Sequence, residues 1–174
     1  MPEQIIRVTP TLWAVALHEG EGHYPPEGTS KRKAWRPEPD FRERYVDPHA
    51  EEHGWGEPEC DFRSTSFGCW QIMGENLRSL GYEGPIDRFA NDLELQYRLT
   101  LKLWVRHERQ LAARLGQMPE LWRLIESWNK GVHGALRMQR PDIHYHGKVR
   151  AWLDVCPAPG DDGLVPLRTV ERKG

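Results

Sequence analysis

The chain has 174 residues, 38% of them hydrophobic and 29% charged, enough for one domain with a real core. A formal net charge of −2 gives no global drive toward nucleic acid or an anionic membrane surface. No run nears the roughly 20 apolar residues of a membrane span, and the 3 cysteines, without CxxC spacing, make neither a disulfide framework nor a zinc ribbon.

The opening Met1-Pro2-Glu3-Gln4 lacks a basic stretch followed by an apolar core, so no signal peptide is expected. Synthesis in a reducing cytoplasm follows, with Cys60 and Cys69 as free thiols or at most a dispensable bridge. Thr9-Pro10 predicts a helix cap with proline at the first helical position. Leu12, Trp13, Val15, Ala16 and Leu17 then form a short apolar helix, stopped by the glycines of His18-Glu19-Gly20-Glu21-Gly22. Glu19 thus falls at a helix C-terminus behind an apolar face. The helix dipole and partial burial both favour its protonated form there. A solvated Glu in a polar loop is the competing reading.

Residues 23–59 are rich in proline, glycine and charge and poor in periodicity, apart from one short helix over 40–46. A loop this long is expected to form one wall of a functional cleft. Of its aromatics Tyr24, Trp35 and Phe41, two are expected to pin the loop and one to face a ligand. Ser64-Thr65-Ser66-Phe67-Gly68-Cys69-Trp70-Gln71-Ile72-Met73 runs from a polar turn into an apolar segment. Ser66 is expected to cap a helix over 71–80 that Gly81 ends, and Gly68 permits a close approach. Gln71 stands where an apolar residue would pack more cheaply, so its amide needs partners. It is either a satisfied core amide or a site residue.

A helix starting at Ile86 follows. Residues 91–115 are the longest periodic stretch, with Leu93, Tyr97, Leu101, Trp104, Val105 and Leu111 at helical spacing and Gly116 as the stop. Pro119 opens a helix that ends near Asn129-Lys130-Gly131, and a last helix spans 145–155. Residues 1–156 are read as the domain and 157–174 as a flexible tail. With no alternating strand pattern of useful length, the fold class is mainly α, a single helical domain with a long irregular loop lining the cleft.

His49-Ala50-Glu51-Glu52-His53 matches the zinc pattern H-x-x-E-H, but its flanks offer no face to bury a helix, so it is read as a solvated loop. His144-Tyr145-His146 and Lys31-Arg32-Lys33 are read as surface loops too. The carboxylate reading carries more chemistry. Cleaving a glycoside needs a proton delivered to a weakly basic oxygen, and a carboxyl kept protonated by a partly apolar site supplies it. Glu19 fits that role, with Ser66, Gln71 and Asn129 to orient the acid or hold an N-acetyl group.

Three motifs resemble the lysozyme-like superfamily, in its branch of soluble lytic transglycosylases and phage N-acetylmuramidases. Ala16-Leu17-His18-Glu19-Gly20 is similar to the family's helix ending in the acid. Residues 64–73 are close to Ser-x-Gly-x-x-Gln-Ile-Met, with Leu80-Gly81-Tyr82 after them. Ser127-Trp128-Asn129-Lys130-Gly131 is similar to Tyr-Asn-x-Gly. Trp35-Arg36-Pro37-Glu38-Pro39 also resembles the arginine and Glu-Pro loop of phage members. The resemblance spans residues 11–155.

The resemblance implies a lysozyme-like domain that cleaves peptidoglycan between N-acetylmuramic acid and N-acetylglucosamine. Glu19 would be the catalytic residue, Ser66, Gln71, Asn129 and Glu38 would bind substrate, and no metal or cofactor would be needed. A transglycosylase would close an anhydro ring with the sugar's own 6-hydroxyl. A hydrolase would use water and a second carboxylate, for which Glu38, Asp40 and Asp47 are candidates. The partners implied are glycan strands, with no nucleic acid and no membrane insertion, and the protein would be a monomer. A phage or prophage origin is implied, with a holin, a secretion device or a virion carrying the protein to the wall. Gly20 replaces the family's serine, Glu21 offers an alternative acid, Trp128 replaces a tyrosine, and Cys69 stands where a small or apolar residue is usual. Two other readings are a silent glycan-binding or virion module on the same fold and a zinc peptidase built on His49 and His53.

Overall fold

The computed structural model describes residues 5–19 and 35–168. The fold is built around helix α1 (Pro10–Glu19). Pro10 occupies its first position, and the Leu12 N–H reaches the Thr9 hydroxyl at 3.4 Å, a capping contact that satisfies one orphan donor. Leu12, Ala14, Val15, Ala16 and Leu17 are all buried. A short helix apolar on most sides belongs inside a core rather than on a surface.

Three further helices, which follow the short α6 (Ile86–Asn91), share its buried core. Helix α7 (Leu93–Leu115) is capped by Asp92, whose carboxylate accepts from the Leu95 N–H at 2.8 Å, and is ended by Gly116 in the left-handed region at φ 69°. Its inner stripe includes Leu95, Leu99, Leu103 and Leu111. Helix α8 (Leu121–Arg137) packs on α7. It breaks at Gly131, whose φ 67° and ψ 167° are not helical, close to the expected stop. Helix α9 (Tyr145–Asp154) lies along α1, with Val149 buried and Trp152 edge-on to Trp13.

The expectation of a flexible tail beyond 157 is corrected over its last described residues. Strand β1 (Ile5–Val8) pairs antiparallel with β5 (Val165–Arg168), with Ile6 opposite Leu167 and Val8 opposite Val165. Val8, Val165 and Leu167 are buried in the main core. The Arg7 guanidinium donates to Asp162 and to the Leu164 carbonyl, each at 2.7 Å, and fixes the approach to the last strand. Burial of two aliphatic side chains offsets the ordering cost that a Pro- and Gly-rich composition suggests.

The region after residue 34 also departs from expectation. Strand β2 (Trp35–Pro37), β3 (Thr65–Phe67) and β4 (Ile72–Met73) form an antiparallel sheet in the order β2-β3-β4. Ser66 is therefore a strand residue opposite Arg36 and Met73, not a helix cap. The helix expected over 71–80 is confined to α5 (Gly74–Ser79), because the chain first makes a tight turn through Gly68 and Gln71.

Between β2 and β3 the short helix expected over 40–46 is present as α2 (Pro39–Phe41) and a π-helical turn over Arg42–Val46, and most of the rest of the expected irregular loop is helical too, as α3 (Asp47–His53) and α4 (Glu57–Arg63). Charge more than apolar periodicity holds this part together. Arg42 donates to Asp47, Glu57 and Asp61 at 2.5–3.0 Å, while Val46 and Cys60 are its main buried apolar side chains. The described residues make a mainly α domain with two small sheets, and none of the 3 cysteines is in a disulfide. No helix among the described residues is long and apolar enough to cross a membrane.

Candidate active site

The packing of α9 along α1 sets the geometry of the site. It brings the first residue of α9 to the last residue of α1, and the Tyr145 hydroxyl donates to Glu19 Oε1 at 2.8 Å. Burial raises the Glu19 pKa above its ordinary value. The Tyr145 hydrogen bond and the Arg36 cation oppose that rise, while Glu38 adds to it. Burial and the neighbouring Glu19 charge raise the Tyr145 phenol pKa, so it stays a donor. His18 stands edge-on to the Tyr145 ring at 4.8 Å, and burial, with Lys148 nearby, lowers its pKa.

The carboxyl opens into a cleft of about 770 Å³. Ser66, Gln71, Asn129 and Glu38 line the same cleft as Glu19, so the structure brings the expected acid together with the four residues expected to bind substrate. Ser66 Oγ lies 2.9 Å from Gln71 Oε1, 3.2 Å from the Arg36 carbonyl and 3.5 Å from Glu38 Oε1. Its single proton goes to Gln71, the nearest acceptor. Gln71 Nε2 donates to the Gly68 carbonyl at 2.8 Å. The Gln71 amide is thus held within its own turn, and Gln71 is the one non-glycine residue among those described with positive φ, at 50°. Such a backbone costs about 1 kcal/mol or more and is kept where surrounding contacts over-determine it.

A second amide sets that turn from behind. Gln96 Oε1 accepts from the Cys69 N–H at 3.0 Å, and Gln96 Nε2 donates to the Phe89 carbonyl at 3.0 Å. A Cβ on Gly68 would stand 2.5 Å from Gln96 Oε1, so only glycine fits. Trp70 Nε1 donates to the Leu12 carbonyl at 2.7 Å, which ties the turn to α1. Trp128 Nε1 donates to the Trp70 carbonyl at 2.9 Å, which ties α8 to the same turn. Trp128 therefore anchors the helix where the resemblance leads one to expect a tyrosine, and the phenol on the acid comes from Tyr145 instead. Asn129 is exposed on the cleft, with no hydrogen bond to a described side chain or backbone group.

Glu38 is the one other carboxylate among the described residues lining the cleft. It pairs with Arg36 at 2.5 Å. Asp47 instead pairs with Arg42, and neither Asp47 nor Asp40 lines the cleft. Of the wall aromatics, Trp35 packs edge-on to Phe67 and pins β2, whereas Phe41 lines the cleft beside Tyr45. Gly20, Glu21 and Tyr24 lie outside the described residues, as does Lys31-Arg32-Lys33.

Sequence reasoning misses two polar groups. Tyr145 is one; its signal is a tyrosine opening an apolar helix that must pack on α1. His107 is the other, on the buried face of α7 and in the cleft lining. Ser127 Oγ donates to the Leu124 carbonyl, which leaves the His107 Nδ1–H as the donor in the 3.1 Å contact between them. Burial, with Arg106 nearby, lowers the His107 pKa to about 4, so the ring is neutral at pH 7.

His49-Ala50-Glu51-Glu52-His53 lies on α3, not in a loop, because the π turn and Gly54 at φ 65° bracket a short helix. His49, Glu52 and His53 hold ligand atoms within 4.8 Å of one another, all exposed and away from the cleft lining. No protein-family model, curated protein or solved structure matches the chain.

Proposed function

We propose that the protein cleaves the glycan strands of peptidoglycan between N-acetylmuramic acid and N-acetylglucosamine by acid catalysis. The observation that carries this reading is a desolvated carboxyl, Glu19, held by the Tyr145 hydroxyl at the floor of a polar cleft. The motif resemblance over residues 11–155 supports it.

In this reading Glu19 gives its proton to the glycosidic oxygen as the C1–O bond breaks. Developing positive charge on the sugar is met by a hydroxyl oxygen that bonds to C1. The resulting Glu19 carboxylate takes that hydroxyl's proton, which restores the acid. The hydroxyl belongs to the same sugar's C6 in a transglycosylase and to water in a hydrolase. Glu38, kept beside Arg36 in the same cleft, is the carboxylate that would assist a water. Ser66 and Gln71 form a rigid floor, and Asn129 offers its free amide to an N-acetyl group. The protein is made in the cytoplasm and acts at the bacterial wall as a monomer.

The test is digestion of purified sacculi with mass spectrometry of the fragments. Soluble disaccharide peptides, lost in Glu19→Gln, are expected. Anhydro ends identify intramolecular closure, and reducing ends identify hydrolysis. Intact sacculi under both enzymes would leave the fold as a silent glycan-binding module.

A further inference from the structure

The cleft carries an aromatic surface that the acid chemistry does not use. Phe41 and Tyr45 stand with ring centroids 5.0 Å apart and planes 44° apart, and both line the cleft. Tyr45 is 59% exposed, among the most open large side chains of the described fold. Core packing does not account for that position. Val46, next to it, is fully buried and anchors the segment from the other side.

The backbone beneath the pair is the π-helical turn Arg42–Val46. A π turn is rare and recurs at functional sites. On its solvent side Arg42 is tied to Asp47, Glu57 and Asp61, three carboxylates from α3 and α4. The two rings are therefore presented by a braced scaffold, which lowers the ordering cost of binding. Glu38, Asn76, Lys130 and His133 supply polar groups to the same cleft lining. An apolar face ringed by hydrogen-bonding groups is complementary to a pyranose, whose C–H face is apolar and whose rim is polar.

We propose that Phe41 and Tyr45 form a platform for one N-acetylhexosamine unit of the glycan strand, remote from the bond that is cut. This rests on the glycan-cleaving reading given above. The platform holds the strand in register so that binding energy away from the reacting bond positions it at Glu19.

The experiment titrates tetra-N-acetylchitotetraose into the full chain carrying Glu19→Gln, by calorimetry, and compares Phe41→Ala, Tyr45→Ala and Tyr45→Phe in that background. Each alanine is expected to raise Kd about tenfold, as truncation of a central aromatic contact does, while Tyr45→Phe stays within about twofold. Melting temperatures equal to the parent exclude unfolding as the cause. Unchanged Kd in Tyr45→Ala overturns the platform, as does a parent that does not bind the tetramer. A loss in Tyr45→Phe as large as in Tyr45→Ala also overturns it, since the hydroxyl rather than the ring face would be binding. Sacculus digestion by the unsubstituted chain separates the two ideas. Digestion with Kd unchanged in Tyr45→Ala removes the platform and leaves the acid. Tetramer binding that needs Tyr45, without digestion, removes the acid and leaves the platform.

Discussion

The Tyr145 hydroxyl donates to Glu19 Oε1 at 2.8 Å across 126 residues of sequence, from the start of one helix to the end of another. The bond favours the ionised carboxylate, against the burial that raises the Glu19 pKa. Tyr145→Phe is expected to raise that pKa further and to free the carboxyl to rotate. Digestion of sacculi by Tyr145→Phe should be slower, and the alkaline limb of its pH–rate profile should move to higher pH. A profile identical to the parent would show that the phenol neither tunes nor positions the acid.

Glu19→Gln should remove the titrating proton and lower the digestion rate by about 10²–10⁴, the usual share of general acid catalysis. It should also change stability with a defined sign. Because the folded-state pKa is raised, the unfolded chain ionises first as pH rises above about 4.5, and native Glu19 becomes a cost up to its folded pKa. Glu19→Gln is therefore expected to match the parent's melting temperature in acid and to exceed it at neutral pH. Thermal melts across that range check it.

His107 predicts the opposite slope. Its pKa falls from 6.5 in the unfolded chain to about 4 in the fold, so stability is fully present above 6.5. As pH drops from there to about 4, roughly 3 kcal/mol should be lost to protonation of the unfolded chain. Urea unfolding of the parent and of His107→Gln at several pH values measures the difference, which should be a flatter curve in the variant.

The two cleft amides should separate. Asn129→Ala removes an exposed group without a described partner and should cut turnover while the melting temperature stays put. Gln71→Ala removes bonds to Ser66 and Gly68 and should lower both, with about 1–2 kcal/mol of stability lost. Gln71→Gly relieves the positive φ and should recover part of the stability but none of the turnover.

Leu167→Ala should cost about 2–5 kcal/mol, the range for a buried leucine truncated to alanine, and urea unfolding reads it directly. A variant as stable as the parent would mean that the last strand adds nothing to the core.

The long helices are legible in the sequence because their apolar stripes repeat over several turns. Leu93 through Leu111 mark α7, and Gly116 marks its end. The strands are not legible, because pieces of two to four residues are too short for alternation to register. Helices α3 and α4 escape for another reason. Arg42 and its carboxylates hold them, and such pairing depends on residues brought together by the fold. Glu19, Gln71 and Asn129 stand out as polar residues beside apolar runs. Tyr145 does not, since a tyrosine at a helix start is unremarkable until α9 lies along α1.

The clasp between Ile5–Val8 and Val165–Arg168 has a consequence for the order in which the molecule becomes competent. A nascent chain released from the ribosome tunnel only as far as Arg140 holds Glu19 but not the phenol that steadies it, nor the strand that closes on Val8. The C-terminal end of α1 is thus completed only once a residue 126 positions further along the chain has been made.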